Sequence, residues 1–185
     1  MTMLHRERVL RAATASFLAR GYGSSVDDIA RRAGVAKQTV YQHFASKDEL
    51  FKEVAHDLAK QVLVGLADGG DVRESLLRFG LAYRKRALGA QGLATFRTLV
   101  PEVPRFRALA RTMYANTAGE MVRRLAGFLK QKLDLPDPEF AAEMLLSMLT
   151  GHDRLKRLFA VPPGAESEAA RTARIVDCFL RAHQP

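Results

Sequence analysis

The stretch Val26-Asp-Asp-Ile-Ala-Arg-Arg-Ala-Gly-Val-Ala-Lys-Gln-Thr-Val-Tyr-Gln-His-Phe-Ala-Ser-Lys-Asp-Glu-Leu50 decides the fold of this chain. Val26, Ile29, Ala30 and Ala33 recur at helical spacing and Gly34 closes the run, so a short helix is expected over 26–33. Ser25 stands at its N-cap, with Asp28 three residues on to complete a capping box. A third helix of the chain is expected over 37–44. Two short helices joined by so tight a turn suggest a helix-turn-helix. Three positions test that reading. Ala30 sits where the helices approach closely, and Gly34 lies in the turn, where a positive φ favours glycine. Val40 faces back into a small core with Ile29, Ala33 and Val35.

Helical spacing continues on both sides. Upstream, Val9, Leu10, Ala13 and Phe17 share one face of a helix expected over 4–20, stopped by Gly21-Tyr22-Gly23. Downstream, Ser46 and Glu49 form another capping box and open a long helix reaching about Leu66. Asp68-Gly69-Gly70-Asp71 is a break. Beyond it helices are expected at 72–88, 92–100, 104–133, 138–159 and 166–182. Pro101, Pro104, Pro136, Pro138 and Pro162-Pro163-Gly164 supply the punctuation. No alternating strand pattern lasts more than four residues, so the fold class is all-α with about nine helices.

The 185 residues are 48% hydrophobic and 26% charged, which supports a sizeable core. No apolar run reaches the roughly 18 residues of a membrane helix, and Met1-Thr2-Met3-Leu4-His5-Arg6 lacks a secretory apolar stretch. A cytoplasmic protein with no membrane partner is expected. Cys178 is the only cysteine, so an intrachain disulfide or cysteine-based metal cluster is impossible. Its apolar setting suggests a buried inert thiol rather than a redox sensor. The net charge of +9 favours nucleic acid as a partner. Its distribution does not follow the motif, however. Residues 1–55 hold nine Lys/Arg against six Asp/Glu, whereas residues 73–111 hold nine against two, Glu74 and Glu102. There is no Gly-x-Ser-x-Gly, phosphate-cradling glycine loop or His-Glu-x2-His. No enzyme, cofactor or metal is expected, and Glu102 near Arg105 reads as a structural ion pair.

Residues 26–50 closely resemble the DNA-binding signature of the TetR family of bacterial regulators, and Val9-Leu10, Ala12-Ala13, Phe17 and Gly21 match its upstream pattern. Phe96-Arg97-Thr98-Leu99-Val100-Pro101-Glu102-Val103-Pro104-Arg105-Phe106, with Phe140-Ala141-Ala142-Glu143 before a long apolar helix, is similar to the AefR-like subgroup. The resemblance implies a helix-turn-helix domain over 1–48 and a helical ligand-binding and dimerisation domain over 49–185. Ala36 departs from the pattern. It stands where the family commonly has Ser or Thr, at the N-cap of the reading helix, and the lost cap costs roughly 0.5–2 kcal/mol locally. A reading helix that is marginal alone and firms up on DNA is expected.

In a helix-turn-helix the second helix presents its N-terminal side chains to base edges in the major groove. Here these are Lys37, Gln38, Thr39 and Gln42. Glutamine bonds bidentately to adenine and the threonine methyl packs on thymine. Gln38 and Gln42 share a face and lead as base readers, with plain solvation as the alternative. The matching family positions make Tyr41, His43 and Lys47 phosphate contacts, with Ser25 equivalent to Lys47 before the preceding helix; His43 could equally be an ordinary surface histidine.

The family also implies a homodimer on a palindromic double-stranded operator, its two reading helices one DNA turn apart. Phe140, Met144, Leu145, Met148 and Leu149 form one apolar stripe, and Ile175, Val176, Phe179 and Leu180 another. Both could pair between subunits or bury within one. A small-molecule effector is implied too. Phe96, Leu99, Met113, Tyr114, Thr117, Met121 and Met148 could line its pocket or simply pack the core. The Arg73–Arg111 stretch could be a solvated face or attract an anionic effector, and His152-Asp153 could place a polar pair near the pocket. The expected function is an effector-released repressor; the alternative is an effector-independent adaptor of the same fold that recruits a protein.

Overall fold

A computed structural model describes residues 2–66, 70–105, 107–162 and 164–183. The side chains of Leu99 and Glu102, and residue Phe106, lie outside that description, and with them the expected Glu102–Arg105 pair. The described residues form ten α-helices and no strand: α1 Thr2–Arg20, α2 Val26–Ala33, α3 Lys37–His43, α4 Lys47–Leu63, α5 Val72–Leu88, α6 Ala90–Leu99, α7 Arg107–Asn116, α8 Ala118–Leu133, α9 Pro138–Leu158 and α10 Glu168–Ala182.

The tenth helix arises where one long element was expected over 104–133. Thr117 takes φ −119° and ψ −87° and separates α7 from α8. Neither glycine nor proline marks this break; Asn116 and Thr117 are merely weak helix formers. Single 3₁₀ turns at Val64–Leu66 and Val100–Glu102 end α4 and α6 earlier than the apolar spacing suggests.

The chain divides into two compact bodies. The first comprises Met1–Leu58 with Ala94–Asn116, the second Ala59–Leu93 with Thr117–Pro185. In the first, Val9, Ala13 and Phe17 of α1 meet Ile29, Ala30 and Ala33 of α2, Val40 of α3, Phe44, and Leu50 and Val54 of α4. Ile29, Phe44 and Leu50 are at most 1% exposed; full burial of such side chains contributes about 1.5–3 kcal/mol each.

The second body is built on α5, α8, α9 and α10. Leu76 and Phe79 pack with Leu125, Leu129, Leu145, Leu149, Val176 and Phe179, all fully buried. Gly80 makes this possible at one point, since a Cβ there would lie 2.8 Å from Thr172 Cγ2 and 3.1 Å from Leu149. Asp71, Asp137 and Ser167 cap α5, α9 and α10, their side chains accepting from the amides of Glu74, Phe140 and Ala170. Cys178 is exposed, contrary to expectation. The buried stripe of α10 runs through Thr172, Val176 and Phe179, so a helix turning 100° per residue carries position 178 away from it. Arg181 donates a contact to its sulfur at 3.1 Å.

Candidate nucleic-acid interface

The reading head is assembled by local hydrogen bonds the sequence encodes almost residue by residue. Ser25 Oγ accepts from the Asp28 amide at 3.0 Å and starts α2. At the other end Gly34 takes φ +64° and ψ +41°. Its amide donates to the Arg31 carbonyl at 3.2 Å and the next amide, Val35, to the Ala30 carbonyl at 3.1 Å. This is a Schellman closure, and it aims the chain directly into α3. Arg8 fastens the outside of the turn, donating from Nη2 to the Gly34 carbonyl at 3.1 Å. Ala36 holds the N-cap position of α3 in extended geometry with no side-chain cap bond, as its residue type dictates. The start of α4 is closed more firmly: Ser46 Oγ accepts from the Glu49 amide at 3.1 Å, and Glu49 Oε2 accepts from the Ala45 amide at 2.5 Å.

What these elements present is polar and open. Ser25, Lys37, Gln38, Tyr41 and Gln42 are exposed, while Thr39, His43 and Lys47 are half-buried. Val40 and Phe44, at 1% each, anchor the inner side of α3. The two lysines are held differently. Lys37 Nζ pairs with Asp27 on α2 at 3.0 Å, and that carboxylate holds its ammonium above the ordinary lysine range. The bridge ties the uncapped start of α3 to its neighbour. Lys47 Nζ lies 4.1 Å from the ring centroid of Tyr22, and partial burial pushes its ammonium downward despite Asp48.

Tyr22 is the residue sequence reasoning passed over, having served only as part of a helix stop. Its ring packs edge-on against Phe51 at 5.6 Å and stacks on Phe17 at 6.4 Å. Its hydroxyl donates to the Asp48 carboxylate. Burial, then Asp48, pushes the phenol up to about 12, so it stays protonated at neutral pH. The signal was an aromatic held between two glycines immediately before a capped helix. Asp28 is also matched: the Ser25 hydrogen bond, with the charges of Arg20 and Arg31 behind it, keeps its carboxyl below the usual range.

A helix-turn-helix with this turn, cap pattern and polar outer face is matched over residues 9–54 by the model of the bacterial regulatory proteins of the tetR family. Residues 74–185 match the C-terminal domain of AefR-like transcriptional repressors. The chain belongs to the TetR family of transcriptional regulators. Over 50 residues it is 50% identical to the HTH-type transcriptional activator FasR of Mycolicibacterium smegmatis, covering 26% of this chain and 23% of that one. Over 63 residues it is 38% identical to the HTH-type transcriptional regulator YhgD of Bacillus subtilis, covering 34% and 33%. The chain thus spans between a fifth and a third of these two curated relatives. Solved structures match along nearly the whole chain. A TetR-family regulator from Mesorhizobium loti superposes with a TM-score of 0.72 at 27% identity, covering 98% of both chains. The flavonoid-responsive regulator FrrA superposes at 0.71 with 29% identity, covering 98% and 97%.

In this TetR-family chain the residues expected around an effector fall into both bodies. Phe96, 38% exposed, half-buried Met113 and exposed Tyr114 belong to the first. Thr117, Met121 and Met148 belong to the second, where Met121 is buried in the core and Met148 lies on the outer side of α9. The apolar stripes also divide. Leu145, Val176 and Phe179 are 0% exposed and pack inside the subunit, which removes their side chains from any contact surface. Phe140, Met144 and Ile175 retain exposure, and Leu155 and Phe159, at 50% and 75%, extend the outer face of α9.

Three arginines of the basic 73–111 stretch are matched by acids. Arg84, 3% exposed, reaches Asp153 at 2.9 Å, Glu168 at 2.7 Å and the Leu149 carbonyl at 2.5 Å. Arg73 pairs with Asp177 at 2.6 Å and Arg78 with Glu74 at 3.6 Å. Asp153 also meets Arg171 at 3.3 Å, so the polar character of His152-Asp153 is used in bonding α9 to its neighbours. Among the described residues no group of acids, histidines and cysteine could hold a metal ion. No helix of the described residues is long and apolar enough to cross a membrane.

Proposed function

We propose that this TetR-family regulator acts as a homodimeric repressor in the cytoplasm, released from a palindromic operator by a small molecule. The observation that carries the reading is α3 itself. It is pinned from inside by Val40 and Phe44 and leaves Gln38 and Gln42 exposed on one outward face beside Tyr41 and Lys47. Gln38 and Gln42 read bases, helped by Lys37 and Thr39; Ser25, Tyr41, His43 and Lys47 hold phosphates.

Dimerisation is supported by the outer face of α9 and its end. Phe140, Met144, Met148, Leu155 and Phe159 recur there at helical spacing, and Gly151 among them leaves open space where a Cβ would stand. A second copy covering this face would bury side chains that are otherwise wet. Repression rests on the AefR-like match over 74–185, and response to an apolar or aromatic effector on the likeness to a regulator named flavonoid-responsive. Phe96, Met113 and Tyr114 supply adaptable apolar surface for such a molecule.

The test begins by selecting binding sites from a randomised duplex library. An inverted repeat is expected to emerge. Gln38→Ala should alter the selected sequence while leaving affinity for random DNA nearly intact, whereas Lys47→Ala should weaken binding to every duplex and lower its salt dependence. Unchanged binding of Lys47→Ala at physiological salt would remove the phosphate assignment, and a library with no enriched sequence would remove sequence-specific reading.

A further inference from the structure

The first body carries a second basic surface that the reading residues do not use. α1 and α2 bound an open groove of about 440 Å³, floored by Ala12, Ala15, Ala33 and Gly34 and walled by Arg8, Arg11, Arg31 and Arg32. The small floor residues let a chain settle between the guanidinium groups. Two of these groups are fixed by neutral partners: Arg8 donates to the Gly34 carbonyl at 3.1 Å and Arg32 to Ser16 Oγ at 3.3 Å. Arg31 bonds Asp28. Arg11 has no ion pair or hydrogen bond among the described residues. A guanidinium offers five N–H donors and pairs bidentately with phosphate. Most of the donors in this groove therefore remain available, and three of its four cations lack a carboxylate partner.

We infer that this groove holds the phosphodiester backbone of DNA beside the base pairs that α3 reads. Continuity argues for DNA over an acidic protein segment. Gly34 is at once a floor residue of the groove and the turn of the helix-turn-helix, and Arg8 is bonded to its carbonyl. Groove and reading helix share one core through Val9, Ala12, Ala33 and Val40, which fixes the position of the groove relative to α3. The inference rests on the proposed seating of α3 in the major groove.

The experiment measures binding of a fluorescent random-sequence duplex across a salt series. Each phosphate contact contributes a slope of about 0.9 in log K against log salt. Arg11→Gln, which breaks no bond, should lower the slope by about one per subunit, and Arg8→Gln/Arg11→Gln by about two. Ala15→Glu reaches the same site from the other direction. It leaves every arginine in place, adds a carboxylate to an exposed floor position, and should weaken duplex binding. Coincident slopes for the wild type and all three variants would overturn the inference while the reading head stands. A fluorescent polyglutamate peptide captured by the wild type but not by Arg8→Gln/Arg11→Gln, with duplex slopes unchanged, would assign the groove to an acidic protein and overturn it as well. If the wild type shows no salt-dependent duplex binding, the failure lies in the reading head, and the inference falls with it.

Discussion

Arg84 of the second body and the Arg8, Arg11 and Arg32 group of the first are held in different ways, although Arg6, Arg20 and Arg31 of the first body do pair with acids. In the second, Arg84 is buried and encircled by Asp153, Glu168 and the Leu149 carbonyl, and Arg73 is clasped by Asp177. In the first, Arg8 and Arg32 lean on neutral oxygens and Arg11 stands in solvent. In the stretch that looks most basic along the chain, nine cations against two acids over 73–111, Arg73 and Arg84 are matched by acids of α9 and α10. The stretch with the smaller excess, residues 1–55, keeps cations available at its surface. Charge counted in a window is not the field a partner meets, because pairing acts across the fold and counting does not.

Removing Arg84 is the most forceful way to break this comparison. Its loss would leave Asp153, which is only 18% exposed, to Arg171 alone and half-exposed Glu168 to Arg157, beside a buried space. Breaking a buried pair from one side costs 3–5 kcal/mol; because Glu168 can rehydrate and each acid keeps a second arginine, Arg84→Ala should cost about 2 kcal/mol. Arg11→Ala, on the open surface, should change stability by less than about 0.5 kcal/mol. Urea unfolding followed by circular dichroism measures both. Equal losses would mean the two arginines are not held differently.

Gly34→Val comes next and falls on the first body alone. At φ +64° a β-branched side chain is strained whatever the space, and its Cβ would lie 2.6 Å from the Arg8 guanidinium that fastens the turn. A loss of about 2 kcal/mol is expected, with DNA binding falling further than stability because α3 is re-aimed. Faster amide exchange should be confined to α2 and α3. Exchange rising equally in α9 and α10 would show that the bodies do not respond separately.

The contrast also explains what could be read from the sequence. The reading head was legible because its determinants are local: Ser25 to Asp28, Ala30 to Val35 and Ser46 to Glu49 are bonds within five residues, written in residue type. The second body depends on separations such as the 104 residues between Arg73 and Asp177, for which no spacing rule exists. The apolar stripes of α9 and α10 were visible, but periodicity cannot tell a side chain buried within the subunit, such as Leu145 or Phe179, from one left wet, such as Phe159. Within the head itself, Tyr22 was missed because its part is played through Lys47 and Asp48, two dozen residues away.

Ala36→Ser tests the smallest and most local feature, the one open end in an otherwise capped head. A serine hydroxyl there can accept from the Gln38 or Thr39 amide in the first turn of α3, an interaction of about 1 kcal/mol. Two outcomes separate two pictures of the reading helix. If α3 is only marginally formed before it meets DNA, the new cap removes part of the ordering cost, slows amide exchange over residues 38–43 and tightens operator binding by about fivefold. If Val40 and Phe44 already hold α3 completely, the stability gain appears in unfolding while affinity stays the same. The Lys37–Asp27 bridge is an exposed contact between side chains at 52% and 63% exposure, and such pairs are worth under about 1 kcal/mol. It is too weak to replace the missing cap, so the first outcome is expected, and with it a head whose turn is rigid and whose reading helix sets on contact.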